Sequence, residues 1–192
     1  MLASASPRRT RILDNLGVPH RVSVSEVAED LRPGEPPEAA AERLARAKAG
    51  AVAARETLPV LGADTIVVCD GAILGKPGSD GAAAAMLRRL SGRTHGVVTG
   101  VCLIRAGTTW SGVERTAVTF ADLSEADIEW YVATGEPRDK AGAYHVGGRG
   151  ALFITRIDGS PSNVAGLPIG LLRRLAAEAG VDHGFPVRGR PR

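Results

Sequence analysis

The sequence predicts an α/β fold in which helices flank a mixed sheet. Two observations carry that expectation. Strand-like and helix-like periodicities alternate early and then mix, with no internal repeat and no long linker. The 192 residues, 44% hydrophobic and 23% charged, are enough for one domain or two joined lobes with a sizeable core.

The elements follow in order. Leu2–Ser4 is a short apolar first strand. Ser6-Pro7 opens a helix with an N-cap and a proline at the first helical position; Ile12, Leu13 and Leu16 supply its apolar face, and Gly17 stops it. His20–Val24 alternates like a strand, and Glu26–Pro37 reads as a polar loop with acidic Glu26, Glu29 and Asp30. A long helix over Pro37–Arg55 carries Ala41, Leu44, Ala45 and Val52 on one face. Val60–Val68 is a strand, and Asp70-Gly71 turns it into Ala72–Leu74. Ser79–Leu90 is helical and ends at Gly92, while Val97–Ile104 and Glu114–Phe120 are strands. Ser124 caps a helix through Val132, with Asp127 completing a capping box. A glycine-rich loop, Gly142–Gly150, leads into a strand over Ala151–Ile157, and a last helix spans about Leu167–Ala179.

Composition narrows the function classes. No apolar run reaches the roughly 18–20 residues of a membrane span, and no signal-peptide pattern opens the chain, so a cytoplasmic protein with no membrane partner is expected. Cys69 and Cys102 sit in apolar runs and make neither a disulfide framework nor a zinc pattern. The net charge of +3 invites a nucleic-acid reading, but Arg188, Arg190 and Arg192 lie in a Gly/Pro/Arg-rich tail and account for it. Aromatic residues are 4% of the chain and do not cluster with basic ones, so no nucleic-acid partner is expected.

Several charged residues break their local pattern. Lys48 falls between Leu44 and Val52 on the apolar helix face, where it is either functional or a snorkelling stem. Asp64 interrupts Val60–Val68, and a carboxylate inside a buried strand needs a cation, a proton or strong hydrogen bonds. The plainer alternative is an aspartate closing a turn beside Thr65. Arg8 and Arg9 occupy the first turn of a helix, where cations oppose the dipole unless an anion is near. Gly75-Lys76-Pro77 adds another basic element. Together these suggest cations for a polyphosphate and carboxylates for a divalent metal. Walker A and GxGxxG patterns are absent, and no histidine lies in a nucleophile motif.

Five segments then carry a resemblance: LASASPRR from Leu2, LARAKA from Leu44, VLGADTIVV from Val60, ILGKP from Ile73 and DKAGAY from Asp139. LSGRTHGVVTGV from Leu90 and GLPIGLL from Gly166 support it. The chain resembles the Maf (septum-formation-inhibitor-like) nucleoside triphosphate pyrophosphatases over 1–180, leaving 181–192 as a basic tail expected to be disordered. The resemblance implies a twisted sheet in two lobes around a nucleotide-binding cleft, in a homodimer. It also implies hydrolysis of a nucleoside triphosphate to the monophosphate and pyrophosphate. By position, Asp64 is implied as proton acceptor and metal ligand, and Glu29 as a second ligand of Mg²⁺ or Mn²⁺. Lys48 and Lys76 are implied to neutralise phosphate, Ser4, Arg8 and Arg9 to line the substrate end, and Arg8 and Thr65 to bear on base selectivity. A carboxylate of ordinary basicity needs the metal to acidify the attacking water, so metal dependence is expected.

DKAGAY and the segment Asn163–Pro168 resemble the dTTP/UTP-selective branch. That branch usually carries a glutamine where Gly147 stands, so relaxed base selectivity is expected. The rival reading on the same fold is a non-catalytic nucleotide-binding regulator of cell division; Glu29, Asp64, Lys48 and Lys76 together speak for the enzyme.

Overall fold

The computed structural model describes residues 1–181. Six α-helices occur among them: α1 (Pro7–Asn15), α2 (Pro37–Ala53), α3 (Asp80–Leu90), α4 (Glu125–Ala133), α5 (Pro161–Val164) and α6 (Ile169–Glu178). Five strands accompany them: β1 (Val60–Cys69), β2 (Ala72–Leu74), β3 (Thr94–Arg105), β4 (Thr108–Phe120) and β5 (Ile154–Asp158). They are hydrogen-bonded in the order β2-β1-β3-β4-β5. The expected α/β architecture with flanking helices is therefore present. No helix of the described residues is long and apolar enough to cross a membrane. Beyond Val181 the expected tail lies outside the described residues.

Local chemistry accounts for the turns. β1 and β2 pair antiparallel, and Asp70 and Gly71 between them both have positive φ, 48° and 74°, the signature of a tight two-residue hairpin. Ala106 and Gly107 join β3 to β4 in the same way, with φ of 48° and 78°. Ser79 caps α3 by accepting from the Ala82 N–H, and Ser124 with Asp127 forms the expected capping box on α4.

Three expected elements differ. Leu2–Ser4 and His20–Val24 do not form strands; only Leu2 bridges, in parallel, to Val22 and Leu61. Ser6 stands at the N-cap of α1 without a side-chain capping bond, and its N–H donates to Ser4 Oγ. The strand expected over Ala151–Ile157 begins late: Arg149–Phe153 is a 3₁₀ turn and β5 starts at Ile154. That turn is set by Glu136, whose carboxylate accepts from Tyr131 Oη (2.8 Å) and from the N–H groups of Arg149 and Gly150 (3.1 Å each). Burial pushes the Glu136 carboxyl up, but these donors hold it below the usual range.

The residues fall into two compact units. Among the described residues the first comprises Met1–Asp64, Gly100–Val113 and 166–181; the second comprises Thr65–Thr99 and Glu114–Ala165. β1, β3 and β4 contribute residues to both. In the first unit Leu2, Leu13, Leu61, Val101, Leu171 and Leu175 build one apolar cluster, and the small residues Ala45, Ala49 and Cys102 pack with Val52 and Val60 in another. Two strand glycines decide how closely α2 lies on the sheet. A Cβ at Gly62 would stand 2.4 Å from the Ala45 carbonyl oxygen, and one at Gly100 only 2.2 Å from that of Ala41. The helix backbone therefore rests directly on β1 and β3.

The second unit packs Val67, Leu87, Val97, Ile128 and an aromatic group around Phe120. His95 and Tyr144 meet Phe120 edge-on at 5.0 and 4.9 Å, an arrangement that aromatic quadrupoles favour. Both cysteines are buried as expected, and burial pushes the Cys102 thiol up to about 11, leaving it protonated and inert.

Candidate active site

In the first unit, α2 positions Lys48 between Ala45 and Ala49, the residues whose backbone meets Gly62. The close approach brings its side chain onto Asp64 at the end of this unit's part of β1. Lys48 Nζ lies 2.5 Å from Asp64 Oδ1 and 2.6 Å from Glu29 Oε1. Lys48 and Asp64 are each 7% exposed, whereas the Glu29 side chain is 51% exposed on its loop. The snorkelling alternative is thereby answered: the ammonium is buried and paired with two carboxylates. Asp64 lies inside a strand rather than closing a turn, and Lys48 is the cation its burial required.

Arg9 is the second buried cation of this unit. Its Nε donates to the Gly166 carbonyl (2.8 Å) and its Nη1 to Ser4 Oγ (2.9 Å). Burial pushes its pKa down to about 10, with the charges of Asp64 and Glu29 opposing that fall and Arg8 adding to it, so the guanidinium stays charged at neutral pH. The first turn of α1 contains no acidic residue to offset Arg8 and Arg9. Arg8 is half-buried there. Ser4, Arg9, Glu29, Lys48 and Asp64 are thus gathered in one unit, with Arg8 beside them in the chain.

Glu29 and Asp64 both reach one ammonium, so their oxygens converge on a common point that a small dication can also occupy. Oxygen donors of this kind suit Mg²⁺ or Mn²⁺, which take one or two carboxylates and complete their shell with water and substrate phosphate. No group of three or more His, Cys, Asp or Glu able to hold a metal occurs among the described residues. Two carboxylates together with phosphate oxygens are the donor set that fits.

In the second unit Thr65 continues β1 directly after Asp64 and is half-buried. Its Oγ1 lies 3.0 Å from that of Thr99, and Thr99 Oγ1 donates to the Asn163 carbonyl (3.2 Å). Thr99 and Asn163 are both fully buried. Sequence reasoning missed both, although a threonine and an asparagine with no access to solvent are the kind of polar residue that demands an account. Lys76 is exposed on the loop after β2, and the neighbouring Gly75 carbonyl accepts from the Gly142 N–H at 3.1 Å. That bond ties the lysine loop to the segment Asp139–Tyr144. Gly147 is exposed, and the imidazole Nε2 of His145 would lie 3.4 Å from any Cβ placed there. A mostly apolar cavity of about 300 Å³ in the first unit is lined by Leu13, Val18, Leu58, Leu103 and Leu172, with Met1 and His20 as its polar contributors.

Comparison with known proteins identifies the family. The family model described as Maf-like protein matches residues 1–179. A protein of Moorella thermoacetica named dTTP/UTP pyrophosphatase is 54% identical over 185 residues, covering 95% of each chain. Proteins of the same name from an Anaeromyxobacter species and from Deinococcus radiodurans are 50% and 47% identical; they match 94% and 95% of this chain and 89% and 93% of their own.

Proposed function

Because the chain belongs to the Maf-like protein family, we propose that it is a nucleoside triphosphate pyrophosphatase acting on dTTP, UTP or modified nucleotides. The observation that carries this reading is the buried Lys48 ammonium held between Asp64 and Glu29. A polyphosphate needs cations to spread its charge, and hydrolysis needs an acceptor for a proton of the attacking water; the cluster supplies both.

On this reading Asp64 takes the proton from water as the bond between the α- and β-phosphates breaks, giving the monophosphate and pyrophosphate. Lys48 and Lys76 neutralise phosphate oxygens, which carry the developing charge. Arg9 holds Ser4 and the Gly166 carbonyl in place, and Arg8 adds positive charge at the start of α1. A divalent cation held by Glu29 and Asp64 would acidify the water and neutralise the phosphates when bound. Thr65 faces the base. The same reading takes the working form to be a cytoplasmic homodimer using Mg²⁺ or Mn²⁺.

The test is pyrophosphate release from a panel of nucleoside triphosphates with Mg²⁺ or Mn²⁺, by the native protein and by Asp64→Asn. Loss of the proton acceptor should lower kcat by about 10²–10⁴-fold, and complete chelation should abolish turnover. Activity surviving full chelation would overturn the mechanism, and no turnover of any nucleotide would favour the non-catalytic regulator.

A further inference from the structure

The cavity of the first unit adjoins the end of α6, and the way that helix stops places its last residues. Gly180 has a φ of 61°, the Val181 N–H donates to the Ala176 carbonyl (2.9 Å), and the Gly180 N–H donates to that of Ala177 (3.1 Å). Such a pair of bonds around a left-handed glycine turns the chain back over the last turn of the helix. Arg105 Nη1 secures the turn to the end of β3 by donating to the carbonyls of Ala179 (2.8 Å) and Gly180 (2.6 Å). Val181 packs against the apolar cluster of Leu13, Leu103 and Leu172, and with them it lines the cavity. The described chain therefore ends in the cavity wall. Leu58, another wall residue, is 51% exposed, so part of the apolar wall is left in water.

The sequence supplies an occupant. Residues 182–192 are otherwise Asp, His, Gly, Arg and Pro, and Phe185, Pro186 and Val187 form their one apolar run. Four residues of chain span at most about 14 Å. Phe185 is thus tethered within reach of the cavity that Val181 lines, at a high effective concentration. Pro186 disfavours a helical backbone at Phe185, and in an extended segment residues two apart share a face, which puts Phe185 and Val187 on one side. An apolar cavity of roughly 150 Å³ takes up benzene, so about 300 Å³ has room for the Phe185 ring. We propose that the cavity is a docking site for the chain's own segment 185–187, with the Phe185 ring set against Leu58 and Leu172. A separate apolar molecule loses translational freedom on entering, a cost that a tethered ring does not bear. Docking removes Leu58 and Phe185 from water together. It is independent of the reaction proposed above.

The experiment uses the full-length chain and two measurements. Nuclear Overhauser contacts are sought between the Phe185 ring and the methyl groups of Leu58 and Leu172, in a uniformly labelled sample and in a mixture of labelled and unlabelled chains. Docking within one chain gives these contacts in the first sample and no contact between chains in the second. Thermal unfolding is then followed for single and paired variants. Phe185→Ala should lower Tm by about 3–6 °C, the scale of one aromatic ring returned to water in a chain of this size. Replacing Arg188, Arg190 and Arg192 together by serine should leave Tm within about 1 °C, as expected of exposed charges. Leu58→Asp spoils the cavity mouth, so in that background Phe185→Ala should change Tm by less than about 1 °C. An unshifted Tm in Phe185→Ala, an equal loss in the arginine variant, or a loss that persists in full beside Leu58→Asp would overturn the proposal. So would the absence of the Phe185 contacts, or their appearance only between chains, which would make a second copy the occupant.

Discussion

Replacing Lys48 by methionine keeps most of the aliphatic stem and removes the ammonium. In the native unit Nζ stands 2.5 Å from Asp64 and 2.6 Å from Glu29, which places the two carboxylate oxygens within reach of each other. At no more than about 5 Å and an effective dielectric of about 20, two such charges repel by roughly 3 kcal/mol. The Glu29 side chain is 51% exposed, so water screens most of that, and about 1 kcal/mol is a realistic remainder. The larger cost falls on Asp64, which is 7% exposed and would be left without its cation. Removing one partner of a buried pair costs about 3–5 kcal/mol, and entry of water at Asp64 keeps the loss at the lower end. The variant should therefore be about 3 kcal/mol less stable at neutral pH, lowering Tm by about 6–12 °C for a chain of this size. Urea unfolding followed by circular dichroism measures it. Repeating the titration with added Mg²⁺ should recover part of the loss, because a dication replaces the missing charge between the carboxylates. A variant within about 0.5 kcal/mol of native, the range of an exposed ion pair, would refute the burial argument.

Two further predictions concern stability. Gly100→Ala drives a methyl group to 2.2 Å from the Ala41 carbonyl oxygen, which only backbone displacement can relieve, so a loss of about 3 kcal/mol is expected in urea unfolding. A loss below about 1 kcal/mol would show that α2 can lift off the strands freely. The His95 imidazole, 2% exposed, is held down to about 4 by burial, so the folded protein binds fewer protons than the unfolded chain as pH falls from 6.5. Its contribution is intact above pH 6.5 and is lost on acidification toward pH 4, by on the order of 3 kcal/mol. His95→Gln should flatten that part of the stability profile, and an unchanged slope would count against the burial assignment.

Much of the fold was legible because local signals agreed with the final packing. Asp70-Gly71 demanded a hairpin, the box of Ser124 and Asp127 demanded a helix start, and Pro37 opened the helix that carries Lys48. The segments misread were those governed by distant partners. Ala151–Phe153 read as the start of a strand, yet the Glu136 carboxylate captures the N–H groups of Arg149 and Gly150 just before it and winds Arg149–Phe153 into a 3₁₀ turn. The short helix α5, a single turn capped by Ser160, has no periodicity to detect. At the candidate site, Lys48 and Asp64 stood out because each interrupts an apolar pattern. Their mutual pairing was not visible, since it depends on the helix lying against Gly62. Thr99 and Asn163 entered only as parts of longer resembling segments and were not singled out, because threonine is ordinary in a strand and asparagine ordinary in a turn. Only their complete burial and the hydrogen bond from Thr99 Oγ1 to the Asn163 carbonyl set them apart.

The seating of α2 on Gly62 and Gly100 has a practical consequence for reading mutational data. A side chain at either glycine would push the helix outward and carry Lys48 with it, separating the ammonium from Asp64. Such variants are expected to lose turnover as severely as a change to the charged residues themselves, though what each glycine faces is the backbone of α2. A survey scored by turnover alone would therefore enrol two backbone spacers among the reacting groups. A parallel measurement of folding would tell the spacers from the chemistry.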